Sequence, residues 1–161
     1  MTYDSGALLF EAEGRLKRGT KYVHISYLFD VEEVYNRIVI DLSLSPYRTA
    51  GHSPEMREEM KQAIREQIFI TEPAAVQEMI EQTAPLRNMC SIAVRTPDGW
   101  RGEDHKFVES RTITLSESGT TPCFKNGRNS VGKYEIVLHV YAVFTDVCNY
   151  TLTVRGYHDA Q

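Results

Sequence analysis

The chain has 161 residues, 42% of them hydrophobic and 25% charged, with a formal net charge of −4. That is enough for one domain of about 150 residues, which buries roughly 70% of its unfolded surface without a metal or disulfide staple. The acidic balance argues against the basic face that grips nucleic acid or an anionic membrane, and no apolar run approaches the ~20 residues that span a bilayer.

The opening MTYDSGALLFEAEG is acidic and lacks the basic start of a signal peptide. Leu8, Phe10 and Ala12 predict a first strand, ended near Gly14. Val23, Ile25, Tyr27 and Phe29 then alternate with Tyr22, His24, Ser26 and Leu28, the period of two that puts one set on a core face. Ile38, Ile40, Leu42 and Leu44 repeat the pattern until Pro46 closes it. Ser53-Pro54-Glu55 reads as a helix start, with a serine cap, proline at the first position and an acid in the first turn. Met56, Met60, Ala63 and Ile64 share one helical face. A second helix, from Thr71 to Pro85, carries the stripe Val76, Met79 and Ile80. Residues 53–84 therefore form a helical insertion within a single domain, 1–161, because so short a segment cannot hold a core alone.

Strands then resume. Cys90, Ile92 and Val94 lead to the turn Pro97-Asp98-Gly99, and Ile113 and Leu115 mark another strand. Tyr134, Ile136, Leu138, Val140, Ala142 and Phe144 form the longest, with Val137, His139, Tyr141 and Val143 on its other face, so it predicts a central strand covered on both sides. Tyr150, Leu152 and Val154 finish the sheet. About seven short strands separated by turns predict a mostly β fold, an antiparallel, jelly-roll-like β-sandwich with a small helical insertion.

Few residues carry recognisable chemistry. Cys90, Cys123 and Cys148 are odd in number and widely spaced, which fits reduced thiols in a cytoplasmic protein better than a metal or redox pair. Asn149-Tyr150-Thr151 matches a glycosylation sequon that has meaning only in a secreted chain. Gly127 to Lys133 has the spacing of a phosphate-binding loop, but Tyr134 stands where serine or threonine should hold magnesium, and a strand pattern follows where a helix should. The five histidines, His24, His52, His105, His139 and His158, contain no H-x-H pair, and His24 and His139 lie opposite the apolar faces of their strands. The richest polar stretch runs from Asp98 to His105 and holds the single tryptophan. Its Trp100, Arg101, Glu103, Asp104 and His105 are the candidate ligand-binding residues, for a carbohydrate or for calcium, which clustered carboxylates suit. The competing reading is an Asp-Gly turn and a solvated loop, with Trp100 packed on a sheet edge. No nucleophile elbow and no assignable Ser/His/Asp or Cys/His set is present, and nothing implies a cofactor or a bound metal.

Three segments resemble one known family. Ser91-Ile-Ala-Val-Arg-Thr-Pro-Asp-Gly-Trp-Arg-Gly102-Glu-Asp-His105 is similar to its "lslyDPxGfRGxxHR". Thr121-Pro122-Cys123-Phe124 with Gly127, followed by Gly132-Lys-Tyr134-Glu-Ile-Val-Leu, is similar to "TPGFxPGxxxxGxWxVvL". Phe10-Glu-Ala-Glu-Gly14-Arg-Leu and His24-Ile-Ser-Tyr-Leu-Phe-Asp-Val31 resemble its opening "fxGxL…yxxisFdVP". The family is the N-terminal domain of PHP-type metallohydrolases (polymerase and histidinol phosphatase), in the branch related to carbaryl hydrolase. Three positions depart from it: Cys123 replaces a glycine, Tyr134 a tryptophan and Glu32 a strand-ending proline.

In that family a histidine-rich catalytic domain, opening with H-x-H, follows this module, and the present sequence stops at Tyr157-His158-Asp159-Ala160-Gln161. The resemblance therefore implies a non-catalytic accessory or assembly domain, with a PHP-type hydrolase domain or a second copy as its partner; the acidic charge balance argues against a partner in nucleic acid or membrane. It implies no enzyme unless the chain is fused to, or partnered with, such a catalytic domain. A small-ligand-binding sandwich built on the Trp100–His105 segment is the alternative.

Overall fold

The structure, a computed structural model, describes residues 6–158. The acidic start at 1–5 and the closing residues 159–161 lie outside the described part. Eight strands form two antiparallel sheets, a β-sandwich: β1 (Ala7–Lys17), β2 (Val23–Val31), β3 (Arg37–Ser45), β4 (Met89–Thr96), β5 (Gly99–Asp104), β6 (Ser110–Ser116), β7 (Gly132–Ala142) and β8 (Val147–Tyr157). One sheet has the order β1-β8-β3-β6, the other β2-β7-β4-β5.

Alternation along each central strand builds the core. Ile38, Ile40, Leu42 and Leu44 of β3 and Cys148, Tyr150, Leu152 and Val154 of β8 face inward from one sheet. Cys90, Ile92 and Val94 of β4 and Tyr134, Ile136, Leu138 and Val140 of β7 meet them from the other. The inner row of β7 is buried as its pattern predicts, while Val137, His139 and Tyr141 on its outer face are half-buried. The alternation breaks at the strand's end, where Val143 is the buried residue and Ala142 and Phe144 are only partly covered.

Two elements differ from the sequence expectation. Strand β1 does not end at Gly14 but runs on to Lys17. Gly14 pairs with Tyr150, and a Cβ there would fall 2.1 Å from the tyrosine ring and hydroxyl. The glycine is a gap for a ring, not a terminator. Through that gap Tyr150 reaches the Tyr27 hydroxyl at 2.6 Å. The stretch after Gly99 is not a loop but the edge strand β5, paired to β4 alone. Its charged sequence conceals a strand because edge strands tolerate polar residues on both faces.

Arg48–Arg87 forms a compact unit of its own. It contains α1 (Pro54–Ala63), a single π-helical turn (Ile64–Ile68) and α2 (Pro73–Gln82). Ser53 caps α1 by accepting from the Met56 amide at 3.2 Å, and Glu72 caps α2 by accepting from the Ala75 amide at 2.7 Å. Ile64, Val76 and Ile80 form its small core, with Met60, Ile70 and Met79 packed against it, and Ala63 stays exposed. No helix among the described residues is long and apolar enough to cross a membrane.

Leu138 is 1% exposed on the strand between β2 and β4. Leu138→Ala is expected to cost about 2–5 kcal/mol in urea unfolding, as for a buried leucine that leaves a cavity. Glu135→Ala, on the outer face, should cost under about 0.5 kcal/mol. Equal costs would put β7 at an edge or in another register.

Candidate functional site

The segment from Trp100 to His105 does not form one site. Strand geometry sends its side chains to different places. Trp100 sits opposite Arg95 on the edge strand and is 44% exposed. Arg101 is buried. Its Nε donates to the Lys125 carbonyl at 2.9 Å, Nη1 to the Arg128 carbonyl at 3.1 Å and Nη2 to the Ser116 carbonyl at 3.5 Å. The Lys125 amide in turn donates to the Arg101 carbonyl at 2.6 Å. Burial pulls the guanidinium down from its ordinary value, opposed by the fields of Tyr134 and Asp98, and it remains a cation because arginine starts so high. One planar fork thus joins β5 to the end of β6, at Ser116, and to the loop before β7, at Lys125 and Arg128, a task that lysine's point charge cannot perform.

Gly102 lets the loop of Cys123 and Phe124 approach. It has φ +144°, and a Cβ would lie 2.2 Å from the Cys123 carbonyl oxygen. A β-bridge joins Gly102 to Phe124.

Glu103 turns to the outer face of its sheet. Its Oε1 accepts from the Ser91 hydroxyl at 2.8 Å, with His105 Nδ1 at 3.5 Å and His139 Nδ1 at 4.0 Å. The His139 ring packs on His24 at 4.3 Å between centroids, across the β2–β7 pairing that sets those two residues opposite each other. The sequence placed both histidines on the outward faces of their strands. It could not show that they meet, because the register is set between strands rather than within them. Ser91 is 0% exposed and gives its proton to a carboxylate, so its oxygen is not presented to a substrate.

Asp104 turns the opposite way. Its Oδ2 lies 3.8 Å from Nη1 of Arg111, and its Oδ1 accepts from the Lys106 amide at 2.9 Å. Arg111 also donates to the carbonyls of Asp104 at 3.0 Å and Cys90 at 2.9 Å. Burial lowers the pKa of this guanidinium, against the pull of Asp104. Glu103 and Asp104 therefore do not converge on one point. Among the described residues no group of three or more His, Cys, Asp or Glu is arranged to hold a metal ion.

The remaining candidates have structural partners. Lys133 lies on β7, next to the buried Tyr134, and its Nζ bonds both carboxylate oxygens of Asp30 at 2.9 and 3.0 Å. A strand, not a helix, follows the glycine loop. Burial pushes the Cys90 thiol up to about 11 and raises Cys148, whereas Cys123 is exposed.

The chain matches no protein-family model. No curated protein matches it either.

Arg101→Lys keeps a positive charge but cannot hold the Lys125 and Arg128 carbonyls together, while the Ser116 carbonyl keeps the Gly127 amide at 3.0 Å and the Thr120 hydroxyl at 2.8 Å. It should lower stability by about 2 kcal/mol in urea unfolding, while Trp100→Ala on the exposed edge should cost under about 1 kcal/mol. An Arg101→Lys protein as stable as the parent would remove Arg101 from this structural role.

Proposed function

We propose that this chain is a non-catalytic accessory or assembly domain, a jelly roll similar to the N-terminal module of PHP-type metal-dependent phosphoesterases. The observation that carries this reading is the meeting of the two resembling segments. Gly102 of the first bridges Phe124 of the second, and Arg101 of the first donates to the Lys125 and Arg128 carbonyls of the second. Residues that resemble a family motif are thereby spent on joining loops to an edge strand. Chemistry of that kind holds a fold rather than turning over a substrate.

Two further features support it. The strands pair as nested couples, β1 with β8, β2 with β7, β3 with β6 and β4 with β5, the wrapping of a rolled hairpin. Cys123, where the family has glycine, holds a φ of +80°, a conformation that glycine adopts freely and L-residues resist. The partner in this reading is a PHP-type hydrolase domain or a second copy of the chain, in the cytoplasm.

The isolated protein should hydrolyse a generic phosphodiester, with manganese or zinc, no faster than a metal-only blank. Turnover above the blank that copurifies with the folded protein would overturn the non-catalytic reading. Co-elution with a PHP-type catalytic domain, or self-association in light scattering, is the expected sign of assembly; a chain that remains monomeric alone and in that mixture would refute it.

The conformation of Cys123 gives an independent check. Cys123→Gly should stabilise the protein by about 1 kcal/mol by relieving the positive φ, whereas Cys123→Ala, which keeps the Cβ, should not. Equal thermal stability of the two variants would mean that the position has no need of glycine.

A further inference from the structure

Two sheets leave four strand edges, β1 and β6 in one, β2 and β5 in the other. The loop 117–131 covers two of them. On β6, the Thr114 carbonyl accepts from the Thr121 amide at 2.9 Å and the Ser116 carbonyl from the Gly127 amide at 3.0 Å. On β5, Gly102 bridges Phe124, and the Arg101 carbonyl accepts from the Lys125 amide. Strand β1 pairs with β8 alone, and among the described residues nothing bonds its free edge between Glu11 and Leu16. An uncovered edge of this kind is a template for another strand.

The sequence of that edge names the strand it fits. From Glu11 to Lys17 the chain reads Glu-Ala-Glu-Gly-Arg-Leu-Lys, and its pairing with β8 runs through without a bulge. Side chains alternate along a strand, so Glu11, Glu13, Arg15 and Lys17 share one face, and all four are exposed. Their neighbours on β8 are Thr153, Thr151, Asn149 and Val147, none of them charged. Among the described residues none of the four takes part in an ion pair.

The charges are antisymmetric about Gly14, with two acids before it and two bases after it at matching distances. An antiparallel copy of the strand, turned about a two-fold axis at Gly14, sets Glu11 against Lys17 and Glu13 against Arg15, each twice. No like charges then meet. A slip of two residues one way opposes Glu13 to Glu13, and the other way Arg15 to Arg15. An in-register parallel copy opposes every charge to itself. Opposite charges across a strand pair stabilise it and like charges destabilise it, so one register is selected. Edge charges that only repel other strands need no such balance.

Apolar surface lies along the same side. Phe10 of β1 packs on Tyr27 and Phe29 of β2, at 5.4 and 4.9 Å between ring centroids. Leu9, Phe10, Ile25 and Tyr27 pack on the core yet stay only partly buried, and Leu8 and Leu28 are exposed. A partner on β1 therefore has apolar area beside the ladder to cover.

We propose that two copies of this chain join edge to edge through β1, antiparallel about Gly14, in a two-fold dimer with one continuous eight-stranded sheet. This deepens the assembly reading by choosing the second copy as the partner and β1 as the surface. It can fail while that reading survives, through a dimer built elsewhere or through a partner domain alone.

The test is sedimentation velocity of the full chain over a concentration series. The parent should dimerise with a dissociation constant below about 100 μM at about 0.05 M salt, and several-fold more weakly at about 0.5 M salt. Glu13→Arg and Arg15→Glu should each weaken dimerisation at least about tenfold, because each creates two like-charge pairs. Mixed in equal amounts, these two variants should associate with each other, since every pair across the axis is then opposite in charge. The double variant, with both substitutions in one chain, should dimerise like the parent. Arg65→Glu, in the helical unit, should leave the dimer unchanged. Melting curves check that the variants fold, and if a single reversal unfolds the chain, the double variant decides. The proposal is overturned by a parent that stays monomeric, by a dimer that tolerates both single reversals, by two folded single variants that do not associate when mixed, or by a folded double variant that stays monomeric.

Discussion

The fold depends on the dry layer between its two sheets. Ile38, Ile92, Ile113, Leu115, Ile136 and Leu152 are each 0% exposed, and they come from strands scattered along the chain. A fully buried side chain of this kind contributes roughly 1.5–3 kcal/mol relative to exposure, but only when the opposite sheet is in place. The nested pairing tightens this condition. Strand β1 finds its partner in β8, almost the whole chain away, and β2 finds its own in β7. Only the innermost couple, β4 and β5, is local, and an isolated two-stranded hairpin is marginal in water. No early subset of strands closes the core, so folding must wait for long-range contacts.

An inner layer this dry pushes polar work outward, to the seams where loops leave the sheets. Backbone carbonyls that the ladders leave over there need donors. Arg101 and Arg111 supply those donors. One reaches the carbonyls of Ser116, Lys125 and Arg128, the other those of Cys90 and Asp104. Burial lowers the pKa of both guanidinium groups, so the fold meets a desolvation cost for each. Fixed, planar donors that join loops distant in sequence offset it. The same logic explains Asn88, which performs the equivalent task at the other end of β7 without a charge.

Much of this was legible in the sequence because the core is written in alternation. The inner rows of β3, β4, β6 and β8, that of β2 from Ile25 onward (Val23 is exposed) and that of β7 as far as Val140, the Ser53 cap and the stripe of α2 all follow from residue spacing. The features that escaped share one property: they depend on a partner that spacing does not name. Gly14 resembles a stop signal until the ring of Tyr150 is seen to fill its place. Strand β5 resembles a loop because Glu103 and Asp104, adjacent in sequence, answer to Ser91 on one face and Arg111 on the other. Arg101 resembled a ligand residue because its three acceptors lie 15 to 27 positions away in the chain. Charge in a sequence reports that a group needs a partner, not whether that partner is the protein itself or something it binds.

That distinction separates the two ends of the sandwich. Both ends bury an asparagine between loops, and in both the amide nitrogen is used twice by the protein. At the end where β4 begins, two backbone amides also complete the oxygen, and the network is closed. At the end where β7 begins, the Asn129 oxygen has no such partner among the described residues, although the loops around it are held firmly by Arg101 and by the Tyr35–Asn129 bridge. A loose fold would relax to satisfy that oxygen. Here the amide is oriented by its nitrogen, which donates to the Tyr35 and Leu115 carbonyls. Arg101, which its charge marked as a binding residue, is thus part of the bracing around an oxygen that the described residues leave unfilled, and a fixed charge that serves the protein itself looks the same in a sequence as one that serves a ligand.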